Sequence, residues 1–459
     1  MKRKLTELAN WLDAPGQNLE GITVTGATID SRNIRKGELF IPFRGEHANG
    51  HTYVRSAYEN GASASLWLAD EPDPPADIPL IFVENAESAL QQLARNYREQ
   101  LTCKVVGVTG SNGKTSTKDL LASALGAEFA VRKTEGNYNN ELGLPLTILS
   151  LEENTEVAVL EMGMSGFGEI SFLSKLAKPD IAIITNIGEA HMQDLGSREG
   201  IAKAKFEIID GLSSTGAFYF DGDEPLLTGL VNDRPGLDAR SFGYGNKCDV
   251  IANDIKVTEQ GSQFTVSGQI EGQFTIPVYG EHQVKNTLAA MLVAKKLGMT
   301  DEAIRSALLN AVLTPMRMQP VTAKSGALFI NDAYNAAPTS LRAALTFIGQ
   351  TELRCDKWVV LGDMLELGQD EQHFHESVAD QLANLQLKGI ALYGPRMHWL
   401  YDELCKRNTT AELIWTENDY APIIEKLLQS IDGQSIILLK GSRGMALENV
   451  LKGVLETEV

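Results

Sequence analysis

One run of residues, Val105 to Thr117, limits what this chain can fold into more than any other. It reads V-V-G-V-T-G-S-N-G-K-T-S-T: a β-branched stretch, a glycine turn, then a lysine and hydroxyls opening a helix. Gly110 and Gly113, around Ser111 and Asn112, let the backbone turn so that successive N–H groups face phosphate oxygens. A helix starting near Lys114 adds its positive N-terminal end and Lys114 adds a full charge. Thr115, followed by Ser116, offers a hydroxyl to Mg²⁺. The spacing departs from the common eight-residue phosphate loop, because Val108 and not glycine stands five before Gly113. The other reading, a glycine turn ahead of an ordinary amphipathic helix, is the weaker one. The pattern implies ATP.

A chain of 459 residues exceeds one hydrophobic core and, at about 150 residues per domain, predicts roughly three domains. Its 43% hydrophobic and 22% charged residues are those of an ordinary globular protein. No apolar run approaches the roughly 18–20 residues that span a bilayer. Met1-Lys-Arg-Lys-Leu-Thr-Glu-Leu lacks the apolar stretch and cleavage site of a signal peptide, so a cytoplasmic location without membrane insertion is expected. Cys103, Cys248, Cys355 and Cys405 lie far apart without metal or redox spacing and read as reduced thiols. A net charge of -19 argues against nucleic-acid binding. Anionic substrates remain possible where a site concentrates lysine, arginine and helix N-termini.

Residues 1 to 100 mix short strands (Phe40–Phe43, Leu80–Val83) with a helix at Ala86–Arg98, and Glu71-Pro-Asp-Pro-Pro75 reads as a surface loop. From 101 to 313 strand and helix alternate. Val105–Val108, Val157–Leu160 and Asp180–Thr185 read as buried strands, Lys114–Leu125 and Arg198–Leu212 as helices, which predicts a parallel sheet covered on both faces. Residues 248 to 280 turn to short alternating strands, a small β insertion, and Gly280-Glu-His-Gln-Val-Lys-Asn286 leads into the helix Thr287–Leu297. From 314 to 459 a further doubly wound α/β unit is expected. Its strands are Leu328–Ile330, Trp358–Leu361, Gly389–Tyr393 and Ser435–Leu439; its helices are Leu341–Ile348, Asp370–Leu382, Tyr420–Leu428 and Met445–Leu455.

Glu161 follows the strand Val157–Leu160. A carboxylate at the carboxyl end of a parallel strand beside a phosphate loop is well placed to hold Mg²⁺, though a solvated strand-end glutamate fits equally. His191 follows another such strand. Lys205 reads locally as a surface lysine on an amphipathic helix. Asn137, Asn139 and Asn140 lie in a polar loop, either as turn punctuation or as substrate hydrogen bonders.

Several segments occur together in one order: Thr109-Gly-Ser-Asn-Gly-Lys-Thr115, Asn139-Asn-Glu-Leu-Gly-Leu-Pro145, Glu161-Met-Gly163, Thr185-Asn-Ile-Gly188 with His191, and Ala204-Lys205. As an ordered set they resemble the Mur ligase family, whose phosphate loop has this same spacing. The C-terminal segments Asn331-Asp-Ala-Tyr-Asn-Ala-Ala-Pro338, Leu361-Gly-Asp-Met-Leu-Glu-Leu-Gly368 with His375, and Lys440-Gly-Ser-Arg-Gly-Met445 resemble the branch that joins D-Ala-D-Ala to UDP-N-acetylmuramoyl-tripeptide. Ile29-Asp-Ser-Arg32 and Gly45-Glu-His-Ala-Asn-Gly-His51 are similar to that family's uridine-nucleotide loops. The departures are Asn49 where the family usually has Asp, Gln283 and Ala337 where it has Asn, and Met316 where it has Gly.

The resemblance implies three α/β domains. These are a small UDP-binding domain (1–100), a central parallel-sheet phosphate-loop ATPase domain with a small β insertion (101–313), and a Rossmann-like C-terminal domain (314–459). It implies a monomeric ATP-dependent peptide ligase of peptidoglycan synthesis working through an acyl phosphate. Lys114 would hold phosphates; Thr115 and Glu161 one Mg²⁺; His191 and Lys205, the latter carrying a carbamate, a second. Asn286, Arg317, Asp332, Tyr334 and Asn335 would contact ATP. Ser31, Arg32, Arg44, Gly45, His51, Asn137, Asn139 and Asn140 would contact the UDP substrate, and Lys440, Ser442 and Arg443 substrate carboxylates. Another amide ligase of this superfamily, such as a folylpolyglutamate synthase, is the nearest alternative. A regulatory protein that kept only the phosphate loop is another, disfavoured by Glu161, His191 and Lys205 standing together.

Overall fold

Strand and helix alternate through most of the chain in the computed structural model, which describes every residue except Glu46, His47, Ala190, Asn408, Glu458 and Val459, and the side chain of Gln193. The uridine-type loop from Gly45 to His51 is therefore described only in part. The chain divides into two units: Met1–Thr109, Glu128–Ile183 and Ala204–Phe218 form the first, and Gly110–Ala127, Ile184–Lys203 and Tyr219–Val459 the second.

In the first unit, Ala27–Thr28, Leu39–Phe40, Ala64–Leu68 and Leu80–Val83 run parallel, and Gly16–Gln17 closes the edge antiparallel. Phe40, Val54, Ala57, Trp67, Ile78 and Leu80 pack one side of this sheet. The strand expected over Phe40–Phe43 ends at Phe40, since Pro42 has no N–H to donate to a ladder. The helix Ala86–Gln100 is N-capped by Asn85, whose side chain accepts from Ser88 N, and buries Leu90, Leu93, Ala94 and Tyr97. Val157–Glu161 lies parallel between Lys104–Thr109 and Val131–Lys133. Both of the longer strands are almost wholly buried, the signature of a parallel sheet covered on both faces. The helix expected over Arg198–Leu212, which belongs to the second unit up to Lys203 and to the first from Ala204, is α-helical only through Phe206 and finishes as a 3₁₀ turn, Glu207–Gly211.

In the second unit, Asp238–Gly243 runs parallel to Val250–Thr258, and Gly261–Gly268 and Gly272–Ile276 add antiparallel. The expected β insertion is thus a pair of hairpins extending a sheet edge. The helix expected from Thr287 begins at Glu281, because the polar residues ahead of Asn286 form its first turns. The C-terminal sheet has the order Gln319–Thr322, Leu328–Asn331, Ser435–Lys440, Asp356–Gly362, Gly389–Tyr393, Glu412–Thr416, parallel except for the first strand. Ile330, Ile436 and Leu438 face one core, and Phe329, Ile437 and Leu439 the other. This period-two division is what a doubly wound sheet requires. The helix expected from Met445 starts at Glu448, after a 3₁₀ turn at Arg443–Met445 and a left-handed Ala446. All four cysteines are free. Among the described residues no helix is long and apolar enough to cross a membrane.

Candidate active site

The phosphate loop lies in the second unit. Gly113 has φ +81 and caps the helix Lys114–Leu125. A Cβ there would come within 2.7 Å of the Asn286 amide, and one on Gly110, at φ +150, would meet Thr185 Oγ1 at 1.9 Å. Both glycines are therefore required by space as well as by conformation. Lys114 Nζ folds back to Gly110 O at 2.7 Å, which holds the cation over the turn.

A second segment, Thr185–Gly188, braces this loop. Thr185 Oγ1 and Asn186 Nδ2 donate to Asn112 O (2.5 and 3.1 Å), Asn112 N donates to Asn186 Oδ1 at 2.9 Å, and Gly188 N donates to Ser111 Oγ at 2.8 Å. Arg198 anchors the far end, bonding Ile187 O at 3.0 Å and Glu224 at 2.6 Å. His191 follows in the left-handed conformation, φ 66, at the head of the short helix Met192–Leu195. The sequence offered only Thr185-Asn-Ile-Gly as a motif; that Asn186 is the brace needed the geometry.

The helix Glu281–Lys296 lies on the loop's other flank. Gln283 Nε2 reaches Ser116 Oγ at 3.4 Å and Gln283 Oε1 accepts from Asn286 Nδ2 at 3.1 Å. Gln283, a departure from the family pattern, thus links two predicted nucleotide residues. Lys285 is locked to Asp221 and Asp223 at 3.0 and 2.9 Å, which fixes the helix's first turns. Burial keeps His282 below the usual imidazole range.

Arg317 brings the C-terminal part of this unit to the loop. Its Nη2 donates to Thr115 Oγ1 at 3.3 Å and its guanidinium stacks 4.0 Å from the Tyr334 ring centroid, a cation–π contact. Asp332 takes Lys440 Nζ at 2.6 Å and Met318 N at 3.1 Å, and Lys440 also donates to Asn335 O at 3.0 Å. Ser442 Oγ accepts from Leu365 N, and Arg443 pairs with Glu448. His375 is fully buried, its Nε2 accepting from Met364 N at 3.0 Å while Nδ1 sits 2.6 Å from Glu371 O. Burial lowers its pKa, and this bonding fixes the neutral Nδ1–H tautomer. Asp363 is buried beneath the start of the helix Met397–Lys406, accepting from Met397 N at 3.0 Å, and burial raises its carboxyl above the ordinary range.

In the first unit, Glu161 closes its strand with 3% of its surface exposed. Asn139 Nδ2 donates to Glu161 Oε1 at 2.8 Å, and Glu161 N donates to Thr134 Oγ1 at 2.9 Å. Asn140 Oδ1 caps Gly143 N at 2.9 Å, and Asn137 O accepts from Asn139 N at 2.7 Å. Of the three asparagines, one holds the candidate metal carboxylate and two shape the turn. Lys205 is buried to 1% exposure on the helix Arg198–Phe206; its local pattern had read as a surface lysine. Among the described residues no three His, Cys, Asp or Glu side chains cluster as a metal site. The oxygen donors of Thr115 and Glu161 are the hard type that Mg²⁺ takes.

Two successive parallel strands of the first unit's smaller sheet lead into the uridine-type loops, and a third leads into the loop that carries Asp70 and Glu71. Ser31 and Arg32 follow Ala27–Thr28, Arg44 and Gly45 follow Leu39–Phe40, and Asp70 and Glu71 follow Ala64–Leu68. The carboxyl edge of such a sheet is where ligands bind. Arg32 chelates Asp30 at 2.9 and 3.1 Å, and Arg44 bonds Asp70 and Glu71. Buried His51 accepts from Leu68 N at 3.2 Å and meets Asn49 Oδ1 at 2.9 Å, and Asn49 Nδ2 donates to Glu71 at 2.8 Å. An aspartate at 49 could not make that last bond and would repel Glu71, which explains this departure.

The profile of the Mur ligase middle domain matches residues 108–294, that of the Mur ligase glutamate ligase domain residues 316–443, and that of the Mur ligase family catalytic domain residues 23–98. The chain is 40% identical to UDP-N-acetylmuramoyl-tripeptide–D-alanyl-D-alanine ligase of Bacillus subtilis (strain 168), over all of this chain and 99% of that one. A crystal structure of MurF from Acinetobacter baumannii superposes with a TM-score of 0.88 at 30% identity, covering 99% of both chains. MurF ligase from Thermotoga maritima in complex with ADP gives 0.83 at 29% identity, over 95% of this chain and 98% of that one.

Proposed function

This chain belongs to the Mur ligase family of ATP-dependent ligases, and we propose that it joins D-Ala-D-Ala to the terminal carboxylate of UDP-N-acetylmuramoyl-tripeptide. The observation that carries this reading is full-length likeness to the Bacillus subtilis ligase combined with an intact, braced phosphate loop. The tripeptide carboxylate attacks the γ-phosphorus of ATP, forming an acyl phosphate and releasing ADP. The D-Ala-D-Ala amine then attacks the acyl carbon, loses a proton, and phosphate leaves from the tetrahedral intermediate. Both reacting groups of the first step are anions, so catalysis is largely charge neutralisation and alignment.

Lys114 and the backbone of Gly110–Gly113 bind the β- and γ-phosphates, Arg317 adds a cation, and Asn286, Asp332, Tyr334 and Asn335 position the nucleoside. We assign Ser31, Arg32, Arg44, Gly45 and His51 to the uridine nucleotide; Lys440, Ser442 and Arg443, which brace Asp332, Leu365 and Glu448, would reach substrate carboxylates only by exchanging those partners. Thr115 and Glu161 would hold one Mg²⁺, and His191 and Lys205 a second. Bound Mg²⁺ supplies charge neutralisation along the triphosphate. An ammonium group has no lone pair for a metal, whereas a carbamate formed from Lys205 Nζ and CO₂, with loss of a proton, offers hard oxygens. Residues 1–100, 101–313 and 314–459 serve as the UDP-substrate, ATP and C-terminal ligand domains of a cytoplasmic monomer.

Phosphate release that requires both UDP-muramoyl tripeptide and D-Ala-D-Ala is the expected result. Release without a peptide substrate, or with glutamate and a folate instead, would defeat the reading. Lys205→Ala should lower kcat about a hundredfold or more and recover with a small added carboxylate. Full activity of the variant would remove the carbamate.

A further inference from the structure

The segment that braces the phosphate loop does not end at Gly188. The next residue, Glu189, turns away from the loop and grips the first turn of the helix Pro338–Gln350. Its carboxylate accepts from Arg342 Nη2 at 3.1 Å and from the Thr339 hydroxyl, and Arg342 also reaches Thr339 Oγ1 at 3.3 Å. The approach is close: a Cβ on Gly188 would lie 3.3 Å from Asn112 Nδ2 and 3.5 Å from Thr339 Oγ1. Gly188 thus stands where the phosphate loop and this helix converge on one backbone position.

We propose that Glu189 is a positioning residue that ties the phosphate-loop brace to the C-terminal helix. All of these residues belong to the second unit. The chain of contacts is short: Ser111 to Gly188, Gly188 to Glu189 through one peptide bond, and Glu189 to Thr339 and Arg342. A parallel tie runs from Thr115 through Arg317 to Tyr334, just ahead of the same helix. The loop is therefore held to the C-terminal sheet module at two points, through Ser111 and through Thr115. Arg317 is a nucleotide candidate as well as a tie. Glu189 is not among the residues assigned to the nucleotide, so its loss tests the tie.

The grip is a charge-assisted hydrogen bond backed by a hydroxyl, with Glu189 about one-quarter exposed and Arg342 about half exposed. It is strong enough to bias a loop and weak enough to open. Where the proposed ligase reaction holds, a loosened tie also admits water to the acyl phosphate, and ATP is consumed without peptide formation.

Glu189→Gln preserves shape and removes the charge, Arg342→Glu repels, and the pair Glu189→Arg with Arg342→Glu restores attraction in the opposite sense. ADP affinity of the whole protein is measured by calorimetry beside the melting temperature. Each single change should weaken ADP about five- to tenfold at an unchanged melting temperature, and the exchange should recover most of it. ADP affinity unchanged in both single variants overturns the tie, as does an exchanged pair no better than Arg342→Glu. A fall in affinity that tracks a fall in melting temperature also overturns it, since a general loss of structure then accounts for the effect. This readout needs no peptide substrate, so failure of the ligase reading leaves it intact. Given ligase activity, ADP formed per peptide bond should rise above one in Glu189→Gln.

Discussion

Two segments of nearly the same composition, Gly110-Ser-Asn-Gly-Lys114 and Lys440-Gly-Ser-Arg-Gly444, sit at the carboxyl ends of buried parallel strands and do different work. In the first the lysine follows two glycines at positive φ and opens a helix. Backbone donors, helix end and Nζ gather on one small volume. In the second the lysine is the last residue of its strand, 3% exposed, and its charge is taken by Asp332. Ser442 steadies Leu365, and Arg443 lies on Glu448. Lysine, serine and glycine at a sheet edge therefore do not by themselves make an anion site. Their order relative to the helix start decides whether the polar groups converge or brace their neighbours.

The comparison breaks most sharply at Gly110. Gly110→Ala places a methyl 1.9 Å from Thr185 Oγ1, and the loop must shift by about an ångström to accommodate it. Displacement of that size costs about a hundredfold in catalysis, so kcat/KM for ATP should fall by that order while the melting temperature moves little. Adding Thr185→Ala removes the clashing hydroxyl and should recover part of the loss. A single variant within threefold of the parent would show that the loop is not shaped by this contact.

At Lys440 the expected effect lies in stability. Lys440→Met strands the Asp332 carboxylate, and breaking a buried pair by removing one partner costs about 3–5 kcal/mol. Asp332 keeps 14% of its side chain exposed and the Met318 N–H, which places the cost at the lower end. Adding Asp332→Asn should return more than half of it in urea unfolding. A Lys440→Met protein as stable as the parent would mean that the lysine is held for ligand binding and not for the fold.

The same contrast explains what was legible in the sequence. The phosphate loop, the strand ahead of it and the helix Lys114–Leu125 were readable because glycine conformation, β-branching and helix periodicity are local properties. In the C-terminal module the alternation of Leu328–Ile330 and Ser435–Leu439 was readable for the same reason. The helix Met397–Lys406 and the strands Gln319–Thr322 and Glu412–Thr416 were not. The two strands are half-exposed edges whose residues take their character from neighbours distant in sequence. Asn139 on Glu161, Asn186 on Asn112 and Glu189 on Arg342 were illegible too, because each joins residues 22, 74 and 153 positions apart. An asparagine's local pattern says that it will hydrogen-bond, but not to what.

The smallest effects belong to two departures ahead of the helix Pro338–Gln350. Ala337 is its N-cap residue, in extended backbone and without an acceptor side chain; Ser340 Oγ accepts from Ala337 N at 3.0 Å and makes half of a capping box. Ala337→Asn supplies the missing acceptor and should stabilise by about 1 kcal/mol. Met316 sits at φ 63, which costs a residue with a Cβ about 1–2 kcal/mol. Glycine removes that strain but returns about 0.4–1 kcal/mol through the freer unfolded chain, so Met316→Gly should stabilise by no more than about 1.5 kcal/mol in urea unfolding. The two effects add if the sites are independent, since one relieves backbone strain and the other satisfies a helix terminus. A destabilised Met316→Gly would mean that the side chain's packing outweighs the strain. The left-handed turn ahead of Arg317 would then be fixed by side-chain contact, unlike the phosphate loop, where glycine alone permits it.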